Sequence, residues 1–365
     1  MGKQGAIKKV FPGGNTAKGF YSYYDNIIST DANKLFIIKG GPGVGKSSFM
    51  KKVAFEILEK GYDVEFHQCS SDNNSLDGIV IQDLKIAIID GTAPHVVDPK
   101  YPGAVDVILN FGEFWNEMGI LKNKEEIIKV TSEIGKRFKR AYKFFAAAKS
   151  VRDDVEEIYE EALDHGSVNQ SSRVLKKEIY GSLNDAQQEG KVRHLFGSAL
   201  SPNGLVDYYE TIVGTMKNIY YVDGSYVKGI SRFIKGIVDE GIKKGLYIEA
   251  YHEPLDERNI ETIIIPKLSI AITTSDKYAH TYYKKITFDT FMKQEILDMY
   301  VDALEEDKAF IENLIRAGIA NITKAKKEHD SLEKSYVSNM NFKEVDDLRE
   351  KIMKSILVYA KEIIK

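Results

Sequence analysis

Hydrophobic residues along the chain fall into two recurring patterns. Short apolar runs, such as Leu35-Phe36-Ile37-Ile38, Ile79-Val80-Ile81 and Ile86-Ala87-Ile88-Ile89, have the length and β-branched content of buried strands. Between the first two, Phe49, Met50, Val53, Ile57 and Leu58 recur at helical spacing up to Gly61, a residue suited to ending a helix. A further strand is expected at residues 63–67. Strands alternating with helices predict an α/β fold with a mainly parallel sheet in three α/β/α layers. Two long stretches follow a different rule. Residues of about 114–187 and 291–365 are rich in lysine and glutamate and keep helical periodicity, which predicts helical hairpin lobes.

The pattern occurs twice. With residues 34–89 laid against 218–273, 16 of the 56 pairs are identical and no gap is needed. Gly40 meets Gly224, Gly45 meets Gly229, Ser47 meets Ser231, Glu65 meets Glu249 and Asp72 meets Asp256. Upstream, after one inserted residue, Phe11 meets Phe196 and Tyr23-Tyr24 meet Tyr208-Tyr209. The lobes repeat as well: Lys149, Asp153, Glu156 and Tyr159 return as Lys326, Asp330, Glu333 and Tyr336. The chain therefore reads as two copies of one unit, residues 1–187 and 188–365.

Between the first strand and its helix lies Gly40-Gly41-Pro42-Gly43-Val44-Gly45-Lys46-Ser47-Ser48, which contains the pattern G-x-x-x-x-G-K-[ST]. Glycines there let successive backbone N–H groups converge on phosphate oxygens, at the positive end of a new helix. Lys46 can then reach the β- and γ-phosphates, and the Ser47 hydroxyl can ligate Mg²⁺. Asp90 ends a neighbouring apolar strand, where an acid helps hold that metal. The second copy tests this reading. Its loop, Gly224-Ser225-Tyr226-Val227-Lys228-Gly229-Ile230-Ser231, has Ile230 for Lys46 and Val227 for Gly43, and Thr274 stands where Asp90 does. Lysine and aspartate are lost together, so the first copy is expected to hold the nucleotide and the second to be a degenerate pseudo-site.

Other residues have weaker claims. His95 and Asp98, in the loop after Asp90, are candidates to sense a γ-phosphate or activate a water. Asp72 and Asp77 have acidic counterparts in the degenerate copy, Asp256 and Glu261, which favours a structural role equally. Residues 11–16 are a candidate adenine wall. Lys136, Arg137, Lys139, Arg140 and Lys143 form a basic stripe, read as a solvated face, a lid over phosphates or a contact for an anionic partner. His67, Cys69 and His95 lack a recognised metal-ligand spacing.

The 365 residues carry a net charge of −3, which gives no general case for nucleic-acid binding. One cysteine excludes an intrachain disulfide and suits a reducing compartment. No apolar run reaches the roughly 20 residues of a membrane helix, and residues 1–10 lack the apolar core of a secretory signal. A cytoplasmic protein is expected, with the helical lobes as its surface for a protein partner or a second copy.

The loop resembles that of the P-loop NTPase superfamily. The wider arrangement, including Cys69-Ser70-Ser71-Asp72, Leu76 to Ile81 and Ile88 to Asp106, is similar to uncharacterised bacterial ATP-binding proteins with tandem P-loop domains. The resemblance implies ATP and Mg²⁺ as cofactors and ATP hydrolysis as the activity. Phosphotransfer to a small acceptor, or a nucleotide switch without turnover, are the alternatives.

Overall fold

A computed structural model describes residues 4–93 and 96–363. The first half runs β1 (Ile7–Val10), β2 (Gly13–Thr16), β3 (Gly19–Ser22), β4 (Lys34–Lys39), α1 (Lys46–Glu59), β5 (Val64–Gln68), β6 (Leu76–Ile81), β7 (Ile86–Asp90) and β8 (Asp106–Asn110). Its helical part is α2 (Glu117–Leu121), α3 (Lys124–Ala162) and α4 (His165–Tyr180). The second half repeats this with β9 (Lys191–Phe196), β10 (Ser198–Ser201), β11 (Gly204–Asp207), α5 (Tyr209–Ile212), β12 (Asn218–Asp223), α6 (Val227–Lys243), β13 (Tyr247–His252), β14 (Ile260–Ile265), β15 (Ile270–Thr273) and β16 (Lys284–Thr287). It closes with α7 (Gln294–Asp298), α8 (Val301–Val337) and α9 (Phe342–Ile363).

Each half builds one six-stranded sheet, in the orders β1-β5-β6-β7-β4-β8 and β9-β13-β14-β15-β12-β16. In the first, β1–β5, β4–β7 and β4–β8 are parallel, while β6 runs antiparallel to both neighbours. The second sheet repeats that pattern around β14. The sheets are thus α/β and mostly parallel, but mixed. The antiparallel turn also decides the layering. Antiparallel neighbours need only short connections, whereas a parallel crossover needs a helix, so β5–β6–β7 supplies none. In the first half the second face is covered by Tyr24, Ile27, Ile28 and Val97 from short segments, in place of the expected outer helical layer.

The lobes are exchanged between the halves. Leu175 and Ile179 of α4 and Tyr159 of α3 lie in one core with Phe233, Ile234 and Ile237 of α6. Val345, Ile352, Met353 and Ile356 of α9 pack reciprocally with Phe49, Val53 and Ile57 of α1. Each such side chain contributes on the order of 1.5–3 kcal/mol on full burial. At 1.5 Å per residue, α3 carries the chain about 58 Å, far enough to cross from one half to the other.

A pseudo-twofold axis relates the copies, because equivalent residues meet each other. Phe11 and Phe196 exchange main-chain hydrogen bonds of 2.9 and 3.0 Å. Beside them, Lys8 and Arg193 face Glu65 and Glu249 in a buried charge cluster: Arg193 Nη1 donates to Glu65 Oε2 at 3.0 Å, and Lys8 lies 3.4 Å from the same carboxylate. The helices α3 and α8 run antiparallel across the axis, with Arg137 Nε donating to Glu328 at 3.1 Å. No described helix is long and apolar enough to cross a membrane.

Candidate functional site

The glycine loop joins the end of β4 to the start of α1. Gly43 and Gly45 adopt left-handed φ angles of 70° and 91°, a conformation that costs other residues roughly 1–2 kcal/mol. Gly45 is the N-cap of α1 and has no side chain to cap it. Among the described residues, the amides of Gly43, Val44, Gly45, Lys46 and Ser47 make no hydrogen bond. The loop therefore presents a run of N–H groups at a positive helix end.

Lys46 and Asp90 meet at this loop. The β4–β7 register sets Ile38 beside Asp90, which brings the end of one strand to the start of the other's loop. Lys46 Nζ donates to the carbonyls of Gly40 (3.1 Å) and Gly41 (2.7 Å) and stands 3.5 Å from Asp90 Oδ2. Asp90 Oδ1 accepts from the Thr92 amide at 2.9 Å, and Thr92 Oγ1 accepts from the Gly40 amide at 3.3 Å. Pro42 is partly exposed, Val44 is buried in the core and Ser48 faces solvent.

Ser47 has a structural duty as well. Its Oγ accepts from the Leu76 amide at 3.0 Å, and Ser231 does the same for Ile260 at 2.7 Å. That shared contact explains why the serine persists in a copy without the lysine. A hydroxyl keeps further lone-pair capacity, and Ser47 and Asp90 together offer the oxygen donors Mg²⁺ prefers.

The other sequence candidates separate clearly. His95 lies outside the described residues. Asp98 pairs with Lys39 at 3.1 Å on the loop's rim. Asp72 is a turn residue, accepting from the Asn74 amide (3.0 Å) and Ser75 Oγ (2.7 Å), and α8 reaches it through Lys326 at 3.2 Å. Asp256 and Lys149 repeat that contact at 3.5 Å. Residues 11–16 are consumed at the pseudo-twofold axis: Asn15 is fully buried and donates to Leu200 O at 2.9 Å, leaving no adenine wall there. His67 is buried against Glu65 at 2.8 Å. The basic stripe lies on the outer part of α3, where Arg137 is engaged by Glu328 and Arg140 sits over Phe144.

Two groups escaped the sequence reading. The Tyr24 hydroxyl is buried near Asp77, Cys69 and Asp90; burial pushes it well above the usual range, and Asp77 adds to this. Tyr209 repeats the pairing with Glu261, whose carboxyl burial pushes up to about 8. The matched pairs Tyr24/Tyr209 and Asp77/Glu261 carried the signal. The second group is a wall from the other half's lobe. A Cβ placed on Gly43 would stand 2.9 Å from the Glu333 carbonyl oxygen, and one on Gly41 would stand 2.8 Å from the Tyr336 ring. Phe342 lies over Gly45 in the same way. The repetition of Glu156/Glu333 and Tyr159/Tyr336 was visible in the sequence, but not what they touch.

The second loop has been converted. Its helix starts at Val227, the counterpart of Gly43, so residues that form a nest in the first copy have become helical turn. Ile230 is buried in the apolar core where Lys46 reaches over carbonyls. Tyr226 is fully buried and stacks on Tyr159 with ring centroids 6.0 Å apart. Glu156 of α3 accepts from the Lys228 amide at 2.9 Å, placing a carboxyl at the helix end that an anion would occupy. A cavity of about 200 Å³ remains, lined by Arg152, Glu156, Lys228, Asp256 and Arg258.

No protein-family profile, curated protein or solved structure matches this chain.

Proposed function

We propose that the chain is an Mg-ATP-binding NTPase of the P-loop type, with one working site in the first half and a pseudo-site in the second. The observation that carries this reading is the meeting of Lys46 and Asp90, 3.5 Å apart, at a loop with left-handed Gly43 and Gly45 and unclaimed amides. The amides of Gly43 to Ser47 would surround the phosphates, and Lys46 would exchange its carbonyl and carboxylate partners for phosphate oxygens. Ser47 and Asp90 would hold Mg²⁺, whose chemistry is to neutralise charge on the transferring group. Asp90 also keeps Lys46 in place before nucleotide enters.

The test is direct. Lys46→Ala should remove binding of a fluorescent ATP analogue and any ATPase activity, while Lys228→Ala should leave both unchanged. Wild-type protein that fails to bind nucleotide with Mg²⁺, or a Lys46→Ala variant that hydrolyses ATP normally, would end the assignment.

A further inference from the structure

Both glycine loops are clasped by the opposite half's lobe, through the same residues: Glu156 and Tyr159 on the second loop, Glu333 and Tyr336 on the first. The fastenings differ. On the second loop, Glu156 accepts from the Lys228 amide, and Glu160 accepts from the Tyr226 hydroxyl and from both terminal nitrogens of Arg232, one of them at 3.1 Å. On the first loop each added partner is missing. Val337 stands for Glu160, Pro42 for Tyr226 and Ser48 for Arg232. Glu333 lies 3.6 Å from His329 of its own helix, and among the described residues no hydrogen bond or ion pair joins α8 to residues 40–48. The contact there is packing alone, Glu333 against Gly43 and Tyr336 against Gly41 and the core beneath the loop.

We propose that the end of α8, from Glu333 to the turn before α9, is a releasable clasp on the phosphate loop, and that its counterpart on α3 is a permanent one. The inference rests on the nucleotide reading of the first loop. Phosphates entering that loop displace Glu333 and Tyr336 from Gly43 and Gly41, and α8 shifts along an α3 that remains fixed to the second half. The α9 helix stays seated through its apolar face and the Lys52–Asp346 pair at 2.7 Å, so the movement is confined to the helix end and its turn. The duplication thus separates two tasks: one lobe anchors and the other responds to the ligand.

The test installs the missing fastening. Ser48 and Val337 are both exposed, so the Ser48→Arg/Val337→Glu pair should fold normally, checked by circular dichroism and the melting temperature. It should slow Mg-ATP association about two- to fivefold, the range an exposed ion pair supports, and the slowing should fade with added salt. The Ser48→Arg/Val337→Gln pair, which keeps the new cation without its acid, should not slow association. In wild-type protein, Mg-ATP should change hydrogen exchange in residues 326–341 and leave 149–164 unchanged. Unaltered association in the Arg/Glu pair, or equal exchange changes in both segments, overturns the clasp while leaving nucleotide binding intact. Failure of wild-type protein to bind Mg-ATP overturns the underlying assignment instead.

Discussion

Replacing Glu156 by glutamine should make the protein more stable at alkaline pH. Glu156 is 4% exposed, and burial pushes its carboxyl up to about 7 against the pull of the Lys228 amide and Arg152, with Glu253 adding to the rise. In the unfolded chain the same group titrates near its ordinary value of about 4.3. The folded state therefore holds the proton more tightly. Its contribution is fully present below about pH 4.3, declines as pH rises, and is lost once pH passes about 7. A difference of about 2.7 pH units at about 1.4 kcal/mol each sets a ceiling of roughly 4 kcal/mol. Glutamine is neutral throughout and keeps an oxygen for the Lys228 N–H. Urea unfolding followed by circular dichroism should find Glu156→Gln about 2 kcal/mol more stable than wild type at pH 8 and within about 1 kcal/mol at pH 5. Glu261 titrates in both proteins, so it cancels from the difference. Parallel stability curves from pH 5 to 8 would refute the reasoning.

Two further substitutions probe the loop and the axis. Gly43→Val should impose a left-handed strain of about 1–2 kcal/mol and drive a side chain against Glu333, lowering the melting temperature and abolishing the nucleotide binding proposed for this loop; an unchanged melt would show that the α8 contact is loose. Arg193→Ala leaves buried Glu65 short of its main partner and removes hydrogen bonds to the Asn26 and Ile27 carbonyls, both 2.7 Å long. A loss of about 3–5 kcal/mol is expected in chemical denaturation, and a loss under about 1 kcal/mol would mean that Lys8 alone can hold the cluster.

Much of the candidate site was legible because its residues are close in sequence. The loop, its strand and its helix occupy residues 34–59, and local rules of glycine conformation and helical period govern them. Asp90 was found through the paired loss at Ile230 and Thr274, and the β4–β7 register then accounts for its place beside Lys46. Ser47 was legible as a residue but not in its full duty, since the Leu76 amide it receives belongs to a strand 29 positions away. Residues 11–16 misled for the same reason. Their polar, glycine-rich composition suits a pocket, yet the chain folds Ser70 and Tyr142 of their own copy and Phe196 and Leu200 of the other copy onto them.

The sequence by itself determined the repeated unit, the α/β character of each copy and the asymmetry between a complete loop and a degraded one. These are properties of local pattern and of position-by-position comparison. Only the tertiary structure decided where each lobe docks. Two nearly equivalent cores offer two nearly equivalent apolar faces, and periodicity cannot say which of them a helix will cover. That choice depends on the reach of α3 and α8 and on the pseudo-twofold axis joining Phe11 to Phe196. It places Glu156 on the second loop and Glu333 on the first, so each loop is completed by side chains more than 60 residues away in the chain.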